Sequence, residues 1–205
     1  VRCYTGDKAT IVPMEGWNRE MWFEDTGLPW VPPSPNMPTV GTAAVYPGGC
    51  LLEGTNVSEG RGTTTPFEVL GAPWVDPFLY SNAMNDLELP GVRFRPHVFQ
   101  PTFQKYAGVE CGGIQIMVHD RNQLRPLRLG LALLCAMRRL WPAQFQWRTE
   151  QYEYVTDRPA IDLLFGTKSI REAIDSGTQW PAIVTDWPLA EDQWLHERKR
   201  WLLYG

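Results

Sequence analysis

The sequence of 205 residues lacks any long run of basic side chains. Its formal net charge is −4 and its isoelectric point is near 5.4, so acidic residues slightly outnumber basic ones. Proteins that hold nucleic acid by its phosphates cluster Lys and Arg on one face. We therefore expect no nucleic-acid partner.

Long apolar runs are missing as well. No window approaches the roughly 20 consecutive apolar residues that a helix needs to cross a bilayer, and we expect no membrane insertion. The chain is nevertheless 43% hydrophobic, which at this length is enough to bury a core. These observations together predict a folded globular protein.

Cysteine is scarce. The four cysteines show no C-x-x-C spacing, which excludes the usual zinc and redox motifs. Cys50 and Cys135 lie among apolar residues and are predicted to be small core side chains, while Cys3 and Cys111 carry no further signal. We predict neither a metal site nor a cofactor.

Proline, glycine and tryptophan are abundant instead. The chain contains 18 Pro, 18 Gly and 10 Trp, which favours long ordered loops held by aromatic side chains. Residues 28–38 include five prolines, and their apolar neighbours indicate an ordered strap on the surface rather than a free linker. Most tryptophans are expected in the core, although an exposed Trp face can also stack on a sugar.

Hydrophobic periodicity places strands before helices. Alternation at 92–99 and 113–119 predicts two strands that pair, and 10–14 and 67–70 are shorter β-like runs. Strands first and helices later, with no repeated βαβ unit, indicate an α+β fold. We expect a small mostly antiparallel sheet with several packed helices and long Pro/Gly-rich ordered loops.

Helical signals begin with residues 42–46, a short helix that Pro47-Gly48-Gly49 is expected to end. Residues 76–87 predict a second helix with Asp76 as its N-cap. From Pro126 onward, leucines at helical spacing predict the main buried helix. Further helices are expected at 160–165, 169–176 and 189–201.

The stretch from Leu51 to Trp74 is unusually polar and rich in Gly, Thr and Glu. As a phosphate-binding P-loop it has five residues between Gly54 and Gly60 where four are required, and Arg61 stands where lysine is needed. As a dinucleotide-binding fingerprint it lacks the third glycine, and as a nucleophile elbow it lacks the first. None of these three motifs is therefore predicted.

Two interpretations of the stretch remain open. Its hydroxyls, amides and bare backbone suit a polyol, an arginine grips a carboxylate with two parallel bonds, and a pair of carboxylates can act on a glycosidic bond. The alternative is structural. In that case Glu53 and Arg61 form an internal ion pair, and Thr63 to Thr65 satisfy backbone groups.

Five longer strings stand out: MEGWNREMWFEDTGLPWVPPSPNMPT at 14–39, YPGGCLLEGTNVSEGRGTTTPFEVLGAPW at 46–74, LPGVRFRPHVFQPTF at 89–103, IDLLFG at 161–166 and RKRWLLYG at 198–205. Taken together, they resemble the bacterial exo-β-N-acetylmuramidase family, formerly a domain of unknown function. The resemblance runs over nearly the whole chain.

The resemblance implies a glycoside hydrolase that releases N-acetylmuramic acid from the non-reducing ends of peptidoglycan fragments. Family members pair an N-terminal Rossmann-like domain with a C-terminal domain around a cleft, and residues 1–205 resemble the C-terminal domain as a single domain. The sequence opens at Val1 without Met, so we expect it to start inside a longer protein. By this comparison the N-terminal Rossmann-like domain is absent, and the chain alone is expected to be inactive because the principal catalytic glutamate belongs to that half.

The resemblance also implies site residues and partners. We predict Glu53 as a catalytic or orienting carboxylate, and Arg61 as the partner of the lactyl carboxylate of N-acetylmuramic acid. The predicted partners are a muropeptide or another muramic-acid-containing saccharide, and an N-terminal Rossmann-like domain or subunit. For His119, an ordinary strand-end turn is the alternative. The predicted substrate-binding residues are Gly54, Thr55, Asn56, Ser58, Glu59, Arg61, Gly62, Thr63 and His119.

Other functional classes stay open at this point. The first possibility is that the chain is part of the glycosidase. The second is a non-catalytic carbohydrate-binding or accessory domain. A more remote third possibility is a structural domain that only bridges to a partner protein. The substrate implies the bacterial cell envelope, periplasmic or secreted, or the cytoplasm, where fragments are recycled. We also expect an exposed apolar face where a further domain docks.

Overall fold

The computed structural model describes residues 10–204, so Cys3 lies outside the described residues. The chain divides into two compact units, one made of Val1–Val31 with Trp187–Gly205 and one made of Pro32–Asp186. The boundary between Val31 and Pro32 falls inside the proline-rich segment at 28–38. Among residues 10–204, no helix has both the length and the apolar character needed to cross a membrane.

A three-stranded antiparallel sheet lies in the larger unit. Its strands are β1 (Val69–Ala72), β2 (Val92–Phe99) and β3 (Cys111–Val118), in the order β1-β3-β2. The prediction that the stretches at 92–99 and 113–119 pair is confirmed. The strand expected at 67–70 begins two residues later, because Phe67 takes a left-handed φ of 64° that no strand residue adopts.

Helix α1 (Val40–Gly49) continues through Pro47, so the prediction of a helix ended by Pro47-Gly48-Gly49 is wrong. The reason is packing against α3 (Pro126–Leu140). A Cβ on Gly48 would lie 1.9 Å from the carbonyl oxygen of Pro126, and one on Gly130 would lie 2.4 Å from the carbonyl oxygen of Gly48. These glycines let two helix backbones approach closely instead of ending a helix.

Helix α2 (Pro77–Asn85) begins as predicted. The Asp76 carboxylate accepts hydrogen bonds from the backbone N–H groups of Phe78 and Leu79, both at 2.9 Å. At the other end of α2, the Asn85 side chain bonds the carbonyl oxygen and the N–H of Phe94 in β2, at 2.7 and 2.9 Å. The helix therefore covers part of an edge strand whose free backbone groups would otherwise face solvent.

The long helix α3 forms the centre of the core, with all residues from Leu129 to Met137 buried. It confirms the main buried helix predicted from Pro126. Three short helices follow, of which the last was not predicted: α4 (Ala160–Phe165), α5 (Ser169–Asp175) and α6 (Trp180–Ile183). The α+β class, with a small antiparallel sheet and several helices, is confirmed.

The smaller unit contains α7 (Trp187–Glu197), followed by a 3-10 helix at Arg198–Trp201. The strand expected at 10–14 is wrong, since these residues are irregular and Pro13 has no N–H to donate to a sheet. No residue of α7 is buried. Several large apolar side chains of this unit are exposed, and their docking to a further domain stays a prediction: Val12, Met14, Leu28, Val31, Leu189, Trp194, Leu195, Trp201 and Leu203.

Candidate functional site

The polar stretch from Leu51 to Trp74 is largely folded into the larger unit. It starts with a 3-10 helix at Cys50–Gly54 and then makes isolated β-bridges that include Thr55 with Trp147 and Ser58 with Gly71. Three of its polar residues, Thr55, Ser58 and Glu59, are consequently buried. The stretch forms one side of a cleft rather than an exposed loop.

This first cleft has a volume of about 280 Å³ and is strongly charged. Carboxylates and cations alternate around it, and a single phenol completes the wall. The lining residues are Glu53, Glu59, Arg61, Gln104, Lys105, Arg148, Tyr152 and Glu153.

Four of these side chains form a continuous chain of ion pairs. Nη2 of Arg61 lies 2.7 Å from Oε1 of Glu53, and its Nε lies 3.1 Å from Oε1 of Glu59. Oε2 of Glu59 is 2.9 Å from Nζ of Lys105. Glu59 is only 3% exposed, so its charge depends on both cations for compensation. The internal Glu53–Arg61 pair that the sequence left as an alternative is therefore present.

Arg61 is held from a second direction by Phe67. Its guanidinium carbon lies 5.0 Å from the centre of the Phe67 ring, and Phe67 is buried with the uncommon φ of 64° noted above. The backbone N–H of Phe67 donates to the carbonyl oxygen of Glu59 at 2.7 Å, which fixes this conformation. Burial acts to lower the pKa of Arg61, but the hydrogen bond and charge of Glu53 outweigh it and raise the pKa. Arg61 is a permanent cation oriented toward two carboxylates.

Lys105 fastens the polar stretch from the opposite side. Besides Glu59, its ammonium donates to the carbonyl oxygens of Leu52 and Val57, at 2.8 and 2.9 Å. Burial lowers the pKa of Lys105, while Glu59 acts in the opposite direction. All three N–H bonds are used within the protein, which indicates a structural role for this amine.

The second oxygen of Glu53 is also occupied. The hydroxyl of Tyr152 donates to Oε2 of Glu53 at 2.9 Å. Burial, followed by the hydrogen bond to Glu53, raises the pKa of Tyr152, so its phenol stays a donor. A carboxylate that accepts from Arg61 and Tyr152 at once is suited to orienting or electrostatic work. Its catalytic role stays a prediction.

A second cleft, of about 440 Å³, shares Gln104, Lys105 and Arg148 with the first. Its wall is less charged and includes two aromatic side chains. Trp147 is fixed there by donating from Nε1 to Asp175 at 2.9 Å. The lining residues are Thr55, Asn56, Gln104, Lys105, Tyr106, Gln146, Trp147, Arg148, Thr149 and Glu150.

The backbone at 54–56 pairs with the backbone at 146–148. The N–H of Asn56 donates to Gln146 O at 3.0 Å, and the N–H of Arg148 donates to Gly54 O at 2.8 Å. The Asn56 amide adds two bonds, to Gln144 O at 2.8 Å and from the N–H of Gln146 at 3.0 Å. Asn56 thus lines the second cleft with an amide that already satisfies backbone groups.

The structure divides the predicted site residues into two sets. Glu53, Glu59 and Arg61 come together in the first cleft, and Thr55 and Asn56 line the second. The remaining residues line neither cleft: Gly54, Ser58, Gly62, Thr63 and His119. The role of each as a ligand contact stays a prediction.

Residues outside the clefts make local contacts. The Thr63 hydroxyl donates to Gly60 O at 2.6 Å and accepts from the N–H of Thr65 at 3.2 Å, as the structural interpretation of Thr63 to Thr65 expects. Gly62 has a φ of 84°, and a Cβ there would lie 2.7 Å from the N–H nitrogen of Phe103. His119 is exposed just after β3, where its N–H donates to Gly91 O at 3.0 Å.

Sequence reasoning missed several cleft residues, among them the three that make the contacts described above: Lys105, Arg148 and Tyr152. Each is a single polar residue in an irregular segment, and Tyr152 lies 99 positions from the carboxylate it bonds. No local motif marks such a partner. Within residues 10–204, no cluster of three or more His, Cys, Asp or Glu side chains could hold a metal ion.

Comparison with known proteins identifies the class of protein that carries this fold and cleft. The family described as "Exo-beta-N-acetylmuramidase NamZ, C-terminal" matches residues 44–204, and the chain belongs to it. The family described as "Exo-beta-N-acetylmuramidase NamZ, N-terminal" matches residues 2–41. The resemblance found in the sequence is confirmed. The extent of a single domain over 1–205 stays a prediction.

Individual relatives place the chain within longer proteins. It is 42% identical over 195 residues to the peptidoglycan beta-N-acetylmuramidase NamZ of Bacillus subtilis, covering 95% of this chain and 45% of the relative. A crystal structure of a DUF1343 family protein from Bacteroides fragilis matches with a TM-score of 0.79 and 28% identity, over 93% of this chain and 49% of that one. A second DUF1343 family crystal structure from the same organism matches with a TM-score of 0.56 and 27% identity. This match covers 85% of this chain and 44% of that one. The chain spans about half the length of these relatives.

Proposed function

We propose that this chain is part of a glycoside hydrolase that releases N-acetylmuramic acid from the non-reducing ends of peptidoglycan fragments. Its role is to supply one wall of a cleft completed by an N-terminal Rossmann-like domain or subunit. The observation that carries the proposal is the charged first cleft, built around Glu53 and Glu59 in a chain of the exo-beta-N-acetylmuramidase family. We also propose that the enzyme acts in the bacterial cell envelope, periplasmic or secreted, or in the cytoplasm, where fragments are recycled.

The contacts of the two glutamates decide which roles they can take. Glycoside hydrolysis generally uses one carboxylic acid to protonate the leaving oxygen and a second carboxylate as base or nucleophile. Glu59 is buried and bridges Arg61 and Lys105, while Glu53 accepts from Arg61 and Tyr152. Neither side chain has an oxygen free of a donor. We infer that they set the field and the orientation of the cleft, and that the proton-transferring carboxylate comes from the other half.

A second candidate function is a non-catalytic carbohydrate-binding or accessory domain. The same observation favours it, because a cleft in which Glu53 and Glu59 are both paired can bind a polar ligand without reacting with it. Only the hydrolase predicts turnover once the other half is supplied. Both candidate functions predict that the sugar binds.

The test is release of sugar from a chromogenic N-acetylmuramide, assayed with this chain alone, with a separately expressed N-terminal half, and with both. We expect release only from the mixture. The variant Glu53→Gln, which keeps the size of the side chain and removes its charge, is expected to lower kcat at least tenfold because Arg61 loses its closest carboxylate. Arg158→Gln, at an exposed position that pairs with Asp157, serves as the control.

One outcome would reject the hydrolase, and another would reject the role of the first cleft. If the mixture binds N-acetylmuramic acid and releases nothing, the accessory function is favoured. If Glu53→Gln and Arg158→Gln are equally active, the first cleft has no part in the reaction.

A further inference from the structure

The wall shared by the two clefts contains a cation with spare hydrogen-bonding capacity. Three cations lie around the first cleft, Arg61, Lys105 and Arg148. Arg61 already bonds Glu53 and Glu59, and Lys105 directs its three N–H bonds to Glu59 and two carbonyl oxygens. Both would have to break internal bonds to hold a ligand carboxylate.

Arg148 makes fewer side-chain hydrogen bonds within the protein than Arg61 or Lys105 does. Its Nη2 donates one hydrogen bond to Gln151 O at 3.1 Å. Its Nε lies 3.9 Å from the carboxylate of Glu150, beyond hydrogen-bond distance, and that carboxylate is 78% exposed. Within residues 10–204, these contacts leave Nη1 without a hydrogen-bond partner. The side chain of Arg148 is about one-third exposed, at 35%, so a ligand can reach it.

The position of Arg148 is nevertheless well defined. Its backbone N–H donates to Gly54 O at 2.8 Å, next to the bridge between Thr55 and Trp147. Its guanidinium carbon lies 5.5 Å from the centre of the Tyr152 ring, and Tyr152 is tied to Glu53. A guanidinium held on a backbone pairing and an aromatic face loses little freedom when it binds an anion.

The charge of Arg148 also acts on its surroundings. After burial, which is the larger cause, the positive charge of Arg148 contributes to lowering the pKa of Lys105. The residues that the two clefts share are Gln104, Lys105 and Arg148, which carry two positive charges and no negative charge. Clefts of about 280 and 440 Å³ on either side leave room for a sugar ring and for the group attached to it.

We propose that Arg148, rather than Arg61, binds the carboxylate that distinguishes N-acetylmuramic acid from N-acetylglucosamine. The identity of the ligand rests on the proposed function. The two sugars differ by a lactyl ether, whose carboxylate is the group that a guanidinium recognises with two parallel bonds. In this assignment Arg61 is a positioning residue that holds Glu53 and Glu59.

The experiment compares the binding of the two free sugars to the 205-residue chain by protein-observed NMR titration, which detects millimolar affinities. We expect the wild-type chain to prefer N-acetylmuramic acid by about tenfold, which corresponds to about 1.4 kcal/mol for a charged hydrogen bond. Arg148→Gln keeps a donor for Gln151 O and removes the charge, and it should abolish the preference. Arg148→Lys should restore part of it, and Arg158→Gln should leave it unchanged.

The variant Arg61→Gln separates the two arginines. We expect it to weaken the binding of both sugars to a similar extent, so that the preference survives. Loss of the preference in Arg61→Gln with its survival in Arg148→Gln overturns the assignment, as does a wild-type chain that binds both sugars equally or neither. Thermal unfolding of each variant shows that a lost preference does not come from unfolding. Because these titrations measure binding, they can succeed when the turnover assay fails.

Discussion

The larger unit contains two networks of partly buried ion pairs that use similar side chains for different ends. In the cleft network, Glu53, Arg61, Glu59 and Lys105 alternate in charge beside an open cavity. In the helix network, Arg171 bonds both oxygens of Asp162, at 2.8 and 3.0 Å, and ties α5 to α4. The acid is nearly inaccessible in both cases, with Glu59 3% and Asp162 8% exposed.

The difference lies in how each arginine distributes its bonds. Arg171 bonds one carboxylate, that of Asp162, with two parallel bonds, which is a strong arrangement, and it lies 3.9 Å from a second carboxylate, that of Asp175. Arg61 divides its bonds between two carboxylates and lies on an aromatic ring, while Lys105 completes the set by bonding two backbone carbonyls. The helix network joins two elements. The cleft network shapes a polar surface. Its disruption should therefore lower the free energy of unfolding and change ligand binding.

The largest effect is expected from Lys105→Met. This change leaves the buried Glu59 with one cation and removes the donor from the carbonyl oxygens of Leu52 and Val57. Breaking a buried pair by removing one partner typically costs about 3–5 kcal/mol, so we expect a loss of that order in the free energy of unfolding. Urea unfolding of the chain measures it.

The matched control is Lys168→Met. Lys168 pairs with Glu172 on the exposed surface of α5, with both side chains more than half exposed. Such pairs contribute about 0.3–0.5 kcal/mol, and the variant should unfold close to the wild type. Equal losses for Lys105→Met and Lys168→Met would show that the cleft network stabilises nothing.

We expect Arg171→Met to have a smaller effect on stability and no effect on ligand binding. Asp162 is left without its bidentate partner, which should lower the free energy of unfolding by about 2–3 kcal/mol. Asp175, which holds Trp147 in the second cleft, loses the longer ion pair with Arg171 at 3.9 Å but keeps the shorter one with Arg138 at 3.3 Å. The preference between the two sugars in NMR titration should therefore stay at its wild-type value. A changed preference would mean that the helix network also shapes the cleft.

Local signals were enough to predict much of the fold. The paired strands β2 and β3 follow from alternation, and α2 follows from the cap at Asp76, because both depend on residues adjacent in sequence. The end of α1 could not be predicted, since Gly48 is explained by its contacts with Pro126 and Gly130 of α3, which lie far away in the sequence. The run at 10–14 was misjudged because a strand needs a partner that no local pattern reveals.

The cleft was predictable only in part for the same reason. Glu53 and Arg61 are eight positions apart in one polar stretch, so their pairing could be considered from the sequence. Lys105 and Arg148 belong to segments whose approach is set by backbone contacts with residues 52–57. The sequence shows which side chains are polar. It does not show that Arg61 is already paired and that Arg148 has capacity left.

The smallest effect is expected from a change at Tyr152. This residue also distinguishes the two networks, because the helix network contains no phenol and its stability should not depend on pH in the range where a phenol titrates. Tyr152→Phe removes the hydrogen bond to Glu53 and should lower the free energy of unfolding by about 1 kcal/mol at pH 7. Burial and Glu53 raise the pKa of Tyr152, so above pH 10 the unfolded chain releases this proton while the folded chain keeps it. Tyr152 then favours the unfolded state increasingly as the pH rises, because stability falls wherever the folded state binds more protons. Phenylalanine has no proton to release. The difference in the free energy of unfolding between wild type and Tyr152→Phe should therefore narrow from pH 9 to pH 11, as measured by urea unfolding. A gap that widens over this range would contradict a phenol held protonated by Glu53, and Arg171→Met, measured alongside, should show a gap that does not change with pH.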